Sequence, residues 1–132
     1  MAPSEPQSEA AGRTVLIVDD EPSTRAALRT MVEGLPAPCR VLEAADGATA
    51  LHLANSLSPD LVLLDIVLPG SDTSGVLVCQ ELCKSHTKVL IVSANASGSI
   101  AQACLAMGAA EILHKPFSVE DARALIASCL GL

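Results

Sequence analysis

Aromatic residues are almost missing from this chain: there is no Trp and no Tyr, and Phe117 is the only Phe. Stacking of bases on aromatic platforms, a common way to hold single-stranded nucleic acid, is therefore excluded. Basic residues are scarce too, 8 Lys and Arg against 15 Asp and Glu, and the net charge of -7 repels phosphodiester backbones. No direct contact with nucleic acid is expected. No apolar run reaches membrane-spanning length and no basic, apolar, small-residue leader opens the chain. The expectation is a cytoplasmic protein with no membrane partner. The C-x-x-C spacing is also lacking. Cys39, Cys79, Cys83, Cys104 and Cys129 are odd in number and fall mostly in apolar helical patterns, which suits inert or buried thiols in a reducing compartment. Cys79 and Cys83 are spaced to share one helix face, but the sequence shows no further ligand beside them.

What the chain has in quantity is aliphatic residues. Half of its 132 residues are hydrophobic, enough for one domain with a sizeable core built from Leu, Val, Ile and Ala. The segment around which the rest is organised is Asp60-Leu61-Val62-Leu63-Leu64-Asp65, followed by Ile66-Val67-Leu68-Pro69-Gly70. An uninterrupted apolar run bounded by acids and closed by a Pro-Gly turn predicts a strand buried on both faces of a parallel sheet. Asp65 then emerges at the carboxyl edge, where open α/β sheets place their ligands.

In chain order, Met1 to Gly12 is rich in Pro, Ser, Glu and Ala without periodicity, and is expected to be a disordered lead-in to a domain over 13-132. Thr14 to Val18 reads as a buried strand that delivers Asp19 and Asp20 to the same edge as Asp65. Pro22 then opens a helix whose apolar face is Ala27, Leu28, Met31, Val32 and Leu35. Glu21 stands where it could cap that helix. Val41 to Ala44 reads as a strand, and Asp46-Gly47 starts a helix with Ala50, Leu51, Ala54 and Leu57 facing inward. After the polar loop Ser71 to Gly75, Val76, Cys79, Leu82 and Cys83 mark a third helix. Lys88 to Ser93 is a further buried strand. A fourth helix from Ser97-Gly98-Ser99 carries Ile100, Cys104 and Met107 on one side; Glu111 to His114 is a short strand running into Lys115-Pro116. Ser118 to Asp121 has the form of a capping box ahead of a last helix with Ala122, Leu125, Ile126, Cys129 and Leu130 buried. Five strands alternating with five helices predict one doubly wound parallel sheet with helices on both faces.

The strand ends are chemically distinctive. Strand one ends in Asp19-Asp20, strand three in Asp65, strand four in Ser93 and strand five at Lys115. Three carboxylates gathered at one edge repel one another unless a cation is present, and hard oxygen ligands suit Mg²⁺. An ammonium and a hydroxyl opposite would bind an anion. Metal, cation and hydroxyl around one carboxylate meet the needs of phosphoryl transfer, charge neutralisation and positioning, with Asp65 as nucleophile.

Val18-Asp19-Asp20-Glu21-Pro22, Asp65 followed four residues later by Pro69, Ser93-Ala94 and Lys115-Pro116-Phe117, in this order and each at a strand end, resemble the receiver domain of bacterial two-component response regulators. The resemblance runs over essentially all of 13-132. It implies a flavodoxin-like fold with strand order 2-1-3-4-5 and phosphorylation of Asp65 by a histidine kinase or a histidine phosphotransfer protein. It also implies Mg²⁺ held by Asp20, Asp65 and the Val67 carbonyl, with Asp19 acting through water. Ser93 and Lys115 would contact the phosphoryl oxygens, and the Lys115-Pro116 bond would be cis. Such a domain is a signalling phosphoacceptor that catalyses only its own phosphotransfer and dephosphorylation. The sequence to Leu132 carries no expected effector domain of its own, and output is expected through a docked effector protein, a phosphorelay, or a longer parent chain.

Two positions depart from the family pattern. Thr73-Ser74 lengthens the loop between Asp72 and Gly75 by two residues, and Ile112 stands three before the lysine where an aromatic residue is usual. An aliphatic there is expected to keep one inward position in both states, which weakens the usual readout and keeps open a phosphorylation-independent interaction module. A phosphatase of the haloacid dehalogenase type also uses an aspartyl nucleophile and Mg²⁺, but needs a second acid where Val67 stands. His52, His86 and His114 are expected at the surface.

Overall fold

The computed structural model describes residues 12-66, 75-95 and 97-132. Its strands are β1 (Arg13–Val18), β2 (Cys39–Ala44), β3 (Leu61–Asp65), β4 (Lys88–Ser93) and β5 (Glu111–His114). The helices between and after them are α1 (Pro22–Glu33), α2 (Gly47–Leu57), α3 (Gly75–Leu82), α4 (Ser99–Met107) and α5 (Val119–Leu130). All strand pairs are parallel and the sheet order is β2-β1-β3-β4-β5, the flavodoxin-like arrangement. The lead-in before Gly12, Val67, and the lengthened loop through Ser74 lie outside the described residues.

Every residue of β3 is buried, as an apolar run in the centre of a parallel sheet requires. Alternate side chains of the central strands feed two separate cores. Leu16, Val18, Val62, Leu64, Val89 and Ile91 meet Ala50, Val78, Cys79, Leu82, Ala101 and Cys104, so α2, α3 and α4 cover one face. Val15, Ile17, Leu61, Leu63, Leu90 and Val92 meet Leu28, Met31, Val32, Ala122 and Ile126, placing α1 and α5 on the other. Each fully buried Leu, Ile or Val is worth about 1.5–3 kcal/mol over its exposed state, which lets a fold nearly devoid of aromatics hold together. Where β1 and β3 begin, the chains are locked reciprocally: Asp60 N–H donates to Thr14 O at 2.8 Å and Thr14 N–H donates to Asp60 Oδ2 at 2.7 Å.

Several local expectations need correcting. β2 begins at Cys39 rather than Val41, because pairing with β1 in register from Arg13 extends it. Glu21 occupies the N-cap position of α1 without a side-chain cap; its own N–H is taken by Asp19 Oδ1 at 2.8 Å instead. Ala27 is exposed, as is Leu57 at the end of α2. In α4 the buried residues are Ala101 and Cys104, while Ile100 and Met107 are 51% and 38% exposed. With only nine residues in α4, a small shift of its apolar stripe decides which side chains meet the sheet. Ile112 is half-buried against the α2/α3/α4 side of the core, and all three histidines are exposed.

The caps of α2 and α5 follow the sequence. Asp46 accepts Thr49 N–H at 2.7 Å, and this hydrogen bond holds its carboxyl below the usual range. Ser118 Oγ accepts Asp121 N–H at 2.9 Å, with Glu120 and Asp121 in the first turn complementing the helix dipole. Ser118→Ala is expected to lower stability by about 1 kcal/mol in urea unfolding monitored by circular dichroism. The rest of the fold should be unaffected, since α5 would fray only at its start.

Candidate functional site

Among the described residues, the buried polar or charged ones are Asp19, Asp65 and Ser93, and all three lie at the carboxyl ends of neighbouring strands. Burying polar groups is costly unless partners are supplied, so their confinement to one edge marks it as the place where the fold spends stability on chemistry.

The position of each follows from its strand. Asp65 is the last residue of β3 and pairs in register with Val92, so Ser93 stands one residue further along β4. Asp19 continues β1 by one residue, its N–H donating to Ala44 O of β2 at 3.1 Å. Asp20 follows and is exposed. Lys115 follows β5; its N–H donates to Ser93 O at 2.8 Å, which ties the base of the lysine to the end of β4. The Lys115-Pro116 bond is cis, in agreement with the resemblance.

At the tip, Lys115 Nζ lies 3.2 Å from Asp19 Oδ2 and 3.3 Å from Asp65 Oδ2. Burial pulls the lysine pKa down, but the charges of Asp65 and Asp19 and their hydrogen bonds more than offset this and leave it above its usual value. The ammonium is therefore fully charged at neutral pH. Asp19, Asp20 and Asp65 each place a carboxylate oxygen within 4.8 Å of the others. Such a set, with two of its members buried and all donors hard oxygens, fits a small divalent cation. Ser93 Oγ accepts Asn95 N–H at 3.0 Å, which fixes the turn after β4.

Asp19, Asp20, Asp65 and Lys115 are thus brought together as expected, with Ser93 on the adjacent strand end and Val67 outside the described residues. Two residues escaped sequence reasoning. Arg25 on α1 donates from Nη1 to the Asp19 carbonyl at 2.7 Å and from Nε to Glu43 Oε1 of β2 at 3.0 Å. Glu43 also takes Arg29 Nε at 2.7 Å, and these arginines hold its carboxyl below the usual range. Gly75, at the start of α3, lies so close to Ile66 that a Cβ there would collide with the Ile66 carbonyl oxygen, Cα and carbonyl carbon. Neither has a local signal, since each acts on a residue distant in sequence.

The family described as the response regulator receiver domain matches residues 15–127. The chain is 41% identical over 109 residues to the positive alginate biosynthesis regulatory protein of Pseudomonas aeruginosa, covering 81% of this chain and 43% of that protein. It is 40% identical over 118 residues to the probable transcriptional regulator ycf27 of Guillardia theta, covering 88% and 44% respectively. The chain thus spans less than half the length of these relatives. Among solved structures, the response regulator domain of Thermotoga maritima CheB superimposes with a TM-score of 0.78 at 26% identity, covering 90% of this chain and 94% of that one. The receiver domain of NtrX from Brucella abortus gives 0.77 at 28% identity, covering 89% and 98%. The family match spans most of the chain, the sheet runs 2-1-3-4-5 as in a flavodoxin-like fold, and the chain belongs to the response regulator receiver domain family of two-component systems.

Proposed function

We propose that Asp65 accepts the phosphoryl group, and that residues 13-132 work as one receiver domain that catalyses its own phosphorylation and dephosphorylation. The observation that carries this reading is the setting of Asp65: a 7%-exposed carboxylate at the end of the central strand, paired with Lys115 and within reach of Asp19 and Asp20. A histidine kinase or a histidine phosphotransfer protein supplies the phosphoryl group. One Asp65 carboxylate oxygen forms the new bond to phosphorus while the P–N bond of the phosphohistidine breaks, its electron pair leaving with the imidazole. Lys115 holds the lysine-side oxygens by charge, and the Ser93 hydroxyl, on the neighbouring strand, takes another. Asp20, Asp65 and the Val67 carbonyl would hold Mg²⁺, with Asp19 acting through water; when bound, the ion neutralises charge that develops on the transferring group. The domain acts in the cytoplasm and signals through an effector protein, without direct contact with nucleic acid or membrane. Among the described residues no helix is long and apolar enough to cross a membrane.

The metal assignment is tested at Asp20, which is exposed and lies outside the two hydrophobic cores. Asp20→Ala should weaken Mg²⁺ binding and slow labelling by a small phosphodonor at fixed Mg²⁺, because the ion keeps few protein ligands. Asp19→Ala should weaken binding less. Equal Mg²⁺ affinity in the wild type and Asp20→Ala, measured by calorimetry, would refute the assignment.

A further inference from the structure

Every polar atom of Asp19 has a partner. Its N–H donates to Ala44 O at 3.1 Å, Oδ1 accepts the Glu21 N–H at 2.8 Å, Oδ2 faces Lys115 Nζ at 3.2 Å, and the carbonyl accepts Arg25 Nη1 at 2.7 Å. The last of these lies beyond the strand ladder: the in-register pairings of β1 with β2 and β3 both end at Val18, and the carbonyl one residue further is taken by a side chain instead. That carbonyl belongs to the peptide unit joining Asp19 to Asp20. Because the unit is planar from one Cα to the next, whatever fixes the direction of the carbonyl also fixes where the Asp20 side chain starts. Asp20 itself is exposed, so its aim comes from the backbone rather than from packing.

Arg25 is built to hold that peptide still. It stands on the first turn of α1 with its side chain only 18% exposed, and its guanidinium is planar, so the bonds to Asp19 and to Glu43 share one rigid frame. Glu43 is itself an anchored partner. Arg25 Nε takes its Oε1 at 3.0 Å and Arg29 Nε its Oε2 at 2.7 Å, so both oxygens of this β2 carboxylate are engaged. A hydrogen bond from a charged donor is shorter and stronger than a neutral one, and the 2.7 Å contact to the Asp19 carbonyl is of that kind. The peptide between the two acids is thereby tied, through Arg25, to the sheet.

We propose that Arg25 is a positioning residue for the divalent cation: through the Asp19-Asp20 peptide it keeps the Asp20 carboxylate in the group of oxygens, mutually within 4.8 Å, that one ion can share. This rests on the reading of Asp19, Asp20 and Asp65 as a Mg²⁺ site. Arg25 acts through the backbone and is not itself a ligand. Mg²⁺ is strict about aim, because it demands near-octahedral geometry from the few protein oxygens it accepts. Arg29 supplies the comparison within the same helix, since it grips Glu43 and Glu33 rather than the Asp19 carbonyl. The two arginines share an anchor but differ in what hangs from it.

The test is Mg²⁺ affinity, measured by calorimetry on the whole chain. Arg25→Met keeps the aliphatic stem and removes the guanidinium, and it should weaken Mg²⁺ binding about tenfold, the lower end of what loss of a supporting partner costs a metal site. Arg29→Met should leave the affinity unchanged, although it too strips an arginine from Glu43. On an Asp20→Ala background Arg25→Met should cost nothing further, because the side chain it aims is gone. A second readout needs no variant: saturating Mg²⁺ should shift the Arg25 Nε–H signal in ¹H–¹⁵N spectra more than that of Arg29, and this decides if Arg25→Met does not fold. Equal affinity in the wild type and Arg25→Met, an equal loss in Arg29→Met, the same tenfold loss on the Asp20→Ala background, or equal shifts of the two arginine signals would each overturn the role of Arg25. Those outcomes leave the metal site standing. Should Asp20→Ala bind Mg²⁺ as well as the wild type does, the metal site falls, and the role of Arg25 with it.

Discussion

Asp65→Asn should abolish labelling by a small phosphodonor in the presence of Mg²⁺, reducing the phosphorylated species in intact mass spectra to background. The amide matches the carboxylate in shape but offers no anionic oxygen to attack phosphorus, and no other group at the edge can replace it. Asp19 is engaged by Lys115 and by the Glu21 N–H. Asp20 is exposed and follows β1 rather than the central strand. The fold should persist, because Lys115 keeps Asp19 as a partner at 3.2 Å when Asp65 loses its charge. Labelling of Asp65→Asn at the wild-type level would sink the assignment of the phosphoacceptor.

Gly75→Ala should be the most damaging single-methyl change near the site. The added Cβ meets backbone atoms of Ile66, the residue directly after Asp65, and backbone cannot rotate aside as a side chain can. Overpacking of this kind costs about 1–3 kcal/mol, and the upper end is expected here, read as a fall in the urea midpoint with unchanged slope. Displacing Ile66 also shifts Asp65, so labelling should slow in the folded protein. Gly34→Ala is the control. At Gly34 the atoms nearest the new methyl are the guanidinium end of Arg123, a flexible and exposed partner, and φ is negative. Its effect should be small. Equal destabilisation by the two substitutions would show that the contact with Ile66 is not what matters at Gly75.

Much of this architecture was legible in the sequence because its signals are local. The all-apolar Leu61 to Leu64 reads as a buried strand, the apolar run of β4 follows the same logic to the residue, and the short edge strand β5 keeps its expected bounds, Glu111–His114. The acids and Lys115 were readable because each lies directly at the end of such a strand, so that placing the strand places the charge. What was not legible depends on contacts between distant residues. Arg25 looks like any charge on a helix surface until β2 brings Glu43 beside it. Gly75 looks like a loop glycine until α3 packs against the end of β3. The exposure of Ile100 and Met107 could not be read either, since α4 is too short for periodicity alone to fix which side faces the sheet. Glu21 illustrates a different limit. It has the right position for a cap, yet its side chain makes no cap hydrogen bond, and its own N–H donates back to Asp19.

Arg25 has a consequence beyond stability. By gripping the Asp19 carbonyl and Glu43 at once, it makes the position of α1 and the aim of the first acid a single mechanical variable. A protein that docks on α1 and tilts it must also move Asp19. Thermodynamic reciprocity then runs the other way: whatever fills the acidic cluster and prefers one setting of Asp19 changes the affinity of that docked protein by the same factor, in couplings that typically amount to about 1–3 kcal/mol. A guanidinium fork of this kind would be a two-way lever, through which any protein docked on that helix and the contents of the strand edge each feel the presence of the other.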